Sequence, residues 1–213
     1  MKTCKDWESD KPLSYTKNLH HGNILGLFVD STDKYLFSVS TDDTLKVWLV
    51  EDLLSADPSR HEPVWQLEHG LSQESDIIHE TIYEQNTQHV RTAPAVIDNI
   101  NKYFYVISKN RFLNVFDISN PRILKPIHLI RYPIVQLLSS NLMGLYRDNT
   151  YLFVTEFTDV KVYKAHTPSQ ITPNEPFKIM RNMHFGKISA MCIQEQYDIM
   201  VTGSRDGDIK IWS

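Results

Sequence analysis

The chain is poor in the residues that mark secretion, membrane insertion or catalysis. Its 213 residues hold two cysteines, Cys4 and Cys192, too few for a disulfide framework. No Asn-x-Ser/Thr acceptor site occurs, so nothing in the text points to a glycosylating compartment. The opening MKTCKDWESD lacks the apolar stretch of a signal peptide. No apolar run approaches the roughly 20 residues that span a bilayer. These absences make a cytoplasmic or nuclear location, without membrane insertion, the expectation. Glycine is scarce, at seven residues, and forms neither a phosphate-cradling loop nor a G-x-S-x-G turn. Positive charge is not in excess: 22 Lys and Arg stand against 26 Asp and Glu, a net charge of −4. A nucleic-acid footprint would need a basic face.

What the chain has is short β-prone runs. KYLFSV, LKVWLV, KYFYVI, FLNVFDI, YLFVTEF, VKVYKA and IKIW are rich in aromatic and β-branched residues, with Asp, Asn, Gly and Ser between them. Helical periodicity is confined to a possible stretch within 71–89, LSQESDIIHETIYEQNTQH. The fold class is all-β.

The runs repeat. HHGNILGLFVDSTDKYLFSVSTDDTLKVW (20–48) aligns without a gap on HFGKISAMCIQEQYDIMVTGSRDGDIKIW (184–212). His20 falls on His184, Gly22 on Gly186, Ser40 on Ser204, Asp42 on Asp206, Lys46 on Lys210 and Trp48 on Trp212. Two fainter copies place Phe116 and Tyr163 at the Trp position, with Ser108 and Thr155 at the Ser position and Asn110 at the Asp position. Asp159 comes two positions late, which predicts a rebuilt hairpin in that copy. The anchors lie 68, 47 and 49 residues apart, and the long first interval holds 71–89 as an insertion. Repeats of this length build solenoids or propellers.

This pattern resembles the WD40 repeat, in which each unit forms one four-stranded propeller blade. The resemblance covers residues 13–213, after a polar segment at 1–12, and is strongest in the first and last copies. It implies a propeller of about four recognisable blades and a hydrogen-bonded set of His, Ser or Thr, Asp and Trp in each complete repeat. By position these are His20, Ser40 or Ser38, Asp42 and Trp48, then His184, Ser204 or Thr202, Asp206 and Trp212. The family also often takes its last outer strand from the N-terminus, and LSYTKNL (13–19) has the alternation to serve. Four blades is the low limit for a propeller, and the family most often forms rings of seven. Three readings stay open: a fragment of a longer ring, a partner for another open propeller, or a closed four-blade ring.

No catalytic constellation emerges, so the chain is not expected to be an enzyme. His79 and His89 lack the His-x-x-x-His spacing of a zinc helix, and neither metal nor cofactor is expected. Asp42, Asp43, Asp206 and Asp208 fall in hairpin turns, where turn chemistry alone explains Asp. Cys192, in the apolar SAMCI, reads as an inert core thiol. The resemblance implies a non-catalytic scaffold that joins proteins in an intracellular complex, with no small-molecule substrate. The alternative is an RNA-binding propeller subunit of an RNA-processing or ribosome-biogenesis complex, for which Tyr132, Phe185 and the dispersed arginines supply stacking and charge. If the blades align, the loops before the first strand and between the second and third share one face. The candidate rim is then His21, Asn23, Thr41, Asn110, Arg111, Tyr132, Phe185, Lys187, Arg205 and Asp208. The insertion 71–89, following the outer strand PVWQLEH (63–69), reads as a docking segment or a flexible loop.

Overall fold

Alternating apolar residues in short runs can bury one face of a strand, and where both faces are apolar a sheet must be covered on both sides. That requirement organises the molecule. The computed structural model describes residues 14–42, 44–67, 95–107, 112–131, 142–165, 171 and 175–213. Within them are four antiparallel sheets, each formed from consecutive strands.

Blade 1 is β1 (Ile24–Val29), β2 (Tyr35–Ser40), β3 (Leu45–Leu49) and β4 (Trp65–Leu67), with a four-residue helix α1 (Val50–Leu53) before the outer strand. Blade 2 is β5 (Ala95–Asp98), β6 (Tyr103–Ile107), β7 (Phe112–Asp117) and β8 (Lys125–Arg131). Blade 3 is β9 (Met143–Tyr146), β10 (Tyr151–Glu156), β11 (Asp159–Lys164) and β12 (Lys178–Met180). Blade 4 has β13 (Ile188–Gln194), β14 (Ile199–Ser204) and β15 (Ile209–Trp212). The inner strands stand side by side, β1 next to β5, β5 next to β9 and β9 next to β13. Among the described residues no comparable contact returns from β13 to β1.

The core lies between blades. Phe37, Val39, Leu45 and Val47 of blade 1 pack on Phe104, Val106 and Phe116 of blade 2. Tyr105, Ile107, Leu113 and Val115, on the other face of blade 2, pack on Leu152, Val154 and Tyr163 of blade 3. Val160, Met183, Ile188 and Met200 then close the junction of blades 3 and 4. Full burial of each large apolar side chain is worth roughly 1.5–3 kcal/mol, so every junction rests on several such residues.

Two expectations change here, and a third, the rebuilt hairpin of the third blade, is met. Residues 14–19 form no strand and do not pair with β15; Ser14 Oγ donates to the Leu53 carbonyl at 2.5 Å and Thr16 Oγ1 meets His61 Nδ1 at 3.0 Å. The segment has local partners on its own blade and lies at the opposite end of the arc from β15. Cys192 is exposed rather than buried, because its face of β13 has no blade against it. In blade 3, β10 and β11 pair Glu156 with Asp159 across a two-residue turn, which accounts for the late Asp159.

Candidate protein-interaction rim

The rim is held by a hydrogen-bond ladder that starts at a group able only to donate and ends at one able only to accept. In blade 1 the Trp48 indole N–H donates to Ser38 Oγ at 2.8 Å, and Ser38 Oγ lies 2.6 Å from His20 Nε2. His20 Nδ1 lies 2.7 Å from Thr44 Oγ1, and the Thr44 hydroxyl donates to Asp42 Oδ1 at 2.6 Å. These ends fix the middle. If His20 carried its proton on Nε2, Thr44 would have to spend its one hydrogen on Nδ1 and leave two oxygens in contact at Asp42. The imidazole therefore holds its proton on Nδ1 and accepts from Ser38.

Blade 4 repeats the scheme with one step fewer. Trp212 Nε1 donates to Thr202 Oγ1 at 2.8 Å, Thr202 Oγ1 meets His184 Nε2 at 2.8 Å, and His184 Nδ1 reaches Asp206 Oδ2 directly at 3.2 Å. The hydroxyls on the Trp side are thus Ser38 and Thr202. Ser40 and Ser204 stand farther along the same face, where each Oγ accepts from the amide of Asp42 or Asp206 at 3.3 and 3.2 Å. Their contribution is to the turn, not to the Trp–His contact.

Each aspartate binds the loop to the hairpin. Asp42 Oδ2 accepts the His21 and Gly22 amides at 2.7 and 3.2 Å. Asp206 Oδ2 accepts those of Phe185 and Gly186 at 2.9 and 3.2 Å. Burial raises the Asp42 carboxyl, but donors from Thr44, the His21 amide and Ser40 outweigh it and hold the group well below the ordinary carboxylate range. At Asp206 burial is likewise outweighed by the amides of Asp208, Gly186 and Phe185, and the result has the same sign. Burial is the largest influence on His20 and lowers its pKa, against a smaller opposing effect of Asp42. The loop can come this close only because residues 22 and 186 are glycine. A Cβ on Gly22 would sit 2.4 Å from Thr41 Oγ1 and 2.7 Å from the Asp42 amide; one on Gly186 would sit 2.8 Å from the Asp206 amide.

Exposed side chains stand on this platform. Asn23 and Thr41 are tied together, Thr41 N–H donating to the Asn23 carbonyl at 2.9 Å and Asn23 N–H to Thr41 Oγ1 at 2.9 Å. The Arg205 amide donates to the Lys187 carbonyl at 3.0 Å in the matching position. His21, Asn23, Thr41, Phe185, Arg205 and Asp208 are exposed, and Lys187 is half-buried. Phe185 is 92 % exposed, with Lys210 Nζ 5.7 Å from its ring centre. The structure therefore brings Phe185, Lys187 and Arg205 together on blade 4, and His21, Asn23 and Thr41 together on blade 1. Asp43, Ser108, Asn110, Arg111, Tyr132 and the insertion 71–89 lie outside the described residues.

A second set of polar contacts, unforeseen in the sequence, joins the blades through the turns that link first and second strands. Ser31 N–H donates to Asn99 Oδ1 at 2.9 Å and Lys102 Nζ to Ser31 Oγ at 3.0 Å, between blades 1 and 2. Asn149 Nδ2 donates to the fully buried Asp98 at 2.7 Å, between blades 2 and 3. The Tyr146 hydroxyl donates to Asp198 at 2.5 Å, between blades 3 and 4. One signal was present: Asp30 and Asp98 are 68 residues apart, the same step that separates Trp48 from Phe116.

Comparison with known proteins agrees with this architecture. The family model described as "WD domain, G-beta repeat" matches residues 13–48 and 177–213. No curated protein matches the chain. A solved structure described as "Structure of U3-55K" superposes with a TM-score of 0.63 at 16 % identity, over 91 % of this chain and 49 % of that one. The chain thus spans about half the length of that structure, and at this identity the likeness speaks for the fold. The described residues thus form four propeller blades, of which the first and last match the WD40 repeat and the two between them are built in the same strand order.

Proposed function

We propose that the chain is a non-catalytic scaffold whose rim, centred on Phe185, Lys187 and Arg205, binds another protein. The observation that carries this is Phe185. An aromatic ring 92 % exposed is costly to leave in water, yet its backbone is fixed by Asp206 and its ring is flanked by Lys210. Aromatic and arginine side chains on a rigid support are the residue types that dominate protein interfaces. WD40 propellers bind other proteins and are typically non-catalytic, which supports the same reading. The location expected for such a scaffold is the cytoplasm or nucleus.

A second reading uses the same residues. A ring beside Lys210, Lys187 and Arg205 is also a stacking platform for a single-stranded RNA base, although the net charge of −4 opposes it. One experiment separates the two: tagged chain is used to capture partners with and without nuclease, alongside Phe185→Ala and Arg205→Glu variants that melt like the parent. A small protein set that survives nuclease and is lost in both variants supports the scaffold. RNA recovery that falls steeply with salt, and protein recovery abolished by nuclease, supports the second reading. Partner sets identical in parent and variants would remove the rim from both.

A further inference from the structure

The hairpin of blade 3 places a phenylalanine where the backbone favours glycine. Glu156 pairs with Asp159, so Phe157 and Thr158 alone make the turn. Phe157 has φ 56° and Thr158 is not in the left-handed region, the pattern of a two-residue turn that prefers glycine at its first position. A bulky side chain there is strained, and such strain gathers at functional sites, where the surrounding structure holds it in place. Here the hold comes from the start of blade 4. The Met183 amide donates to the Thr158 carbonyl at 3.0 Å and the Ile188 amide to the Phe157 carbonyl at 2.8 Å. The ring gains only partial burial in return, since it is 44 % exposed.

Between those two bonds the chain arches through 184–187 and displays Phe185, 92 % exposed. Two exposed phenylalanines thus stand on adjacent segments of one seam, and both blades that form it are present. The carboxylates of the seam are already engaged. Asp159 accepts the Asn182 amide at 2.8 Å, Asp206 accepts those of Phe185 and Gly186, and Glu156 is paired with Lys161 at 2.6 Å. Arg181, one residue before Asn182, is exposed and has no acid partner among the described residues. Lys210 Nζ adds a second cation, 5.7 Å from the Phe185 ring centre. We propose, on the reading of the rim as a protein-binding surface, that this seam takes an extended acidic peptide segment of the partner. An apolar side chain of that segment rests against Phe157 and Phe185, and a neighbouring carboxylate sits on the planar fork of Arg181. A strand of RNA would need several cations along its phosphates. The seam instead intersperses its cations with Glu156, Asp159 and Asp206, which suits one carboxylate on one guanidinium.

In the test, random short peptides displayed on phage are panned on the 213-residue chain, and the best binder is titrated by fluorescence anisotropy. The recovered sequences should set an acidic residue beside an aromatic or aliphatic one. Phe157→Asn and Phe157→Gly keep the turn, since both new residues accept a left-handed backbone. Each should melt within about 3 °C of the parent yet bind the peptide about tenfold or more weakly. Arg181→Glu should weaken binding to a similar degree, and Arg181→Lys should restore part of it. A Phe157 that only filled space would do the reverse, lowering the melting temperature and leaving the peptide bound. Phe185→Ala separates this site from the rim at large. A loss there with none in either Phe157 variant overturns the seam and leaves the rim reading standing, whereas indifference to both phenylalanines removes both. Recovery of basic or uncharged peptides, recovery of none, or tighter binding of a labelled oligouridylate whose affinity falls steeply with salt would each overturn the proposal.

Discussion

Removing the hydroxyl of Ser38 is the sharpest test of the ladder, because one atom serves two buried partners. In the parent it accepts from Trp48 Nε1 at 2.8 Å and faces His20 Nε2 at 2.6 Å. Both neighbours are inaccessible, with Trp48 2 % exposed and the His20 side chain 1 %. Ser38→Ala strands an indole donor and an imidazole acceptor together, and each buried unsatisfied group costs about 1–3 kcal/mol. Allowing for relaxation, the net loss should be about 3 kcal/mol. For a chain of this size that lowers the melting temperature by roughly 6–12 °C. The control is Ser40→Ala: Ser40 is itself buried, but its partner Asp42 is only half-buried and keeps the Thr44 hydroxyl and the amides of His21, Gly22 and Thr44, so the loss should be no more than about 1 kcal/mol. The assay is urea unfolding followed by tryptophan fluorescence and far-ultraviolet circular dichroism, with thermal melts beside it. A double-mutant cycle with Trp48→Phe should show coupling of about 1 kcal/mol between residues 38 and 48 and none between 40 and 48. Equal losses in the two serine variants, or a larger one at Ser40, would refute the assignment of the Trp-side hydroxyl.

Two other outcomes follow from the same geometry. Gly22→Ala forces a Cβ against the Asp42 amide and should cost about 2 kcal/mol, whereas Gly203→Ala, whose Cβ would meet only Ala190 at 3.6 Å, should stay within about 0.5 kcal/mol; comparable denaturation midpoints for the two would contradict the close-approach argument. His20, Asp42 and Asp206 all have lowered pKa values, so the unfolded chain binds protons more readily than the folded one. The stability they contribute is complete above the ordinary histidine value of 6.5 and falls as the medium is acidified, first through His20 and then, below the ordinary aspartate value of 3.8, through the two carboxylates. Urea midpoints from neutral to acid pH should decline in that order, with a shallower acid limb in Asp42→Asn; a midpoint that rises on acidification would reverse the assigned signs.

The end blades could be read from the sequence because their chemistry repeats residue for residue, down to Lys46 and Lys210 and the carbonyls they reach. The serine position could not. Residues 38 and 40 lie on the same face of one strand, so alternation cannot choose between them. The β2–β3 register decides: it sets Leu36 opposite Trp48 and Ser38 opposite Lys46, leaving Ser40 one same-face step too far. Cys192 failed for a different reason. Its strand alternates as a core strand should, but burial of a blade face depends on what the next blade supplies, and that information is not in the strand. The turn contacts were hidden because Asp98 with Asn149, and Tyr146 with Asp198, pair residues that are 51 and 52 positions apart, in repeats too diverged to align.

The distribution of these networks bears on how the rim would bind. Blade 1 keeps its hairpin open over Ser40–Thr44, between the paired residues Val39 and Leu45, and fastens it through Asp42 to the loop before β1. Blade 4 does the same through Asp206. In blade 3 the hairpin is tight, and its carbonyls are spent on the neighbouring blade, Thr158 accepting from the Met183 amide at 3.0 Å and Phe157 from that of Ile188 at 2.8 Å. So the hairpin of blade 3 buttresses the start of blade 4, while Asp206 clamps that start from the other side. The loop at 184–187 is thereby held from two directions, and it is the loop that displays Phe185. A side chain presented on backbone already ordered adds less entropy cost on association than one on a free loop. The residue most exposed to water thus stands on one of the most constrained loops of the rim, an arrangement that favours a pre-formed docking point.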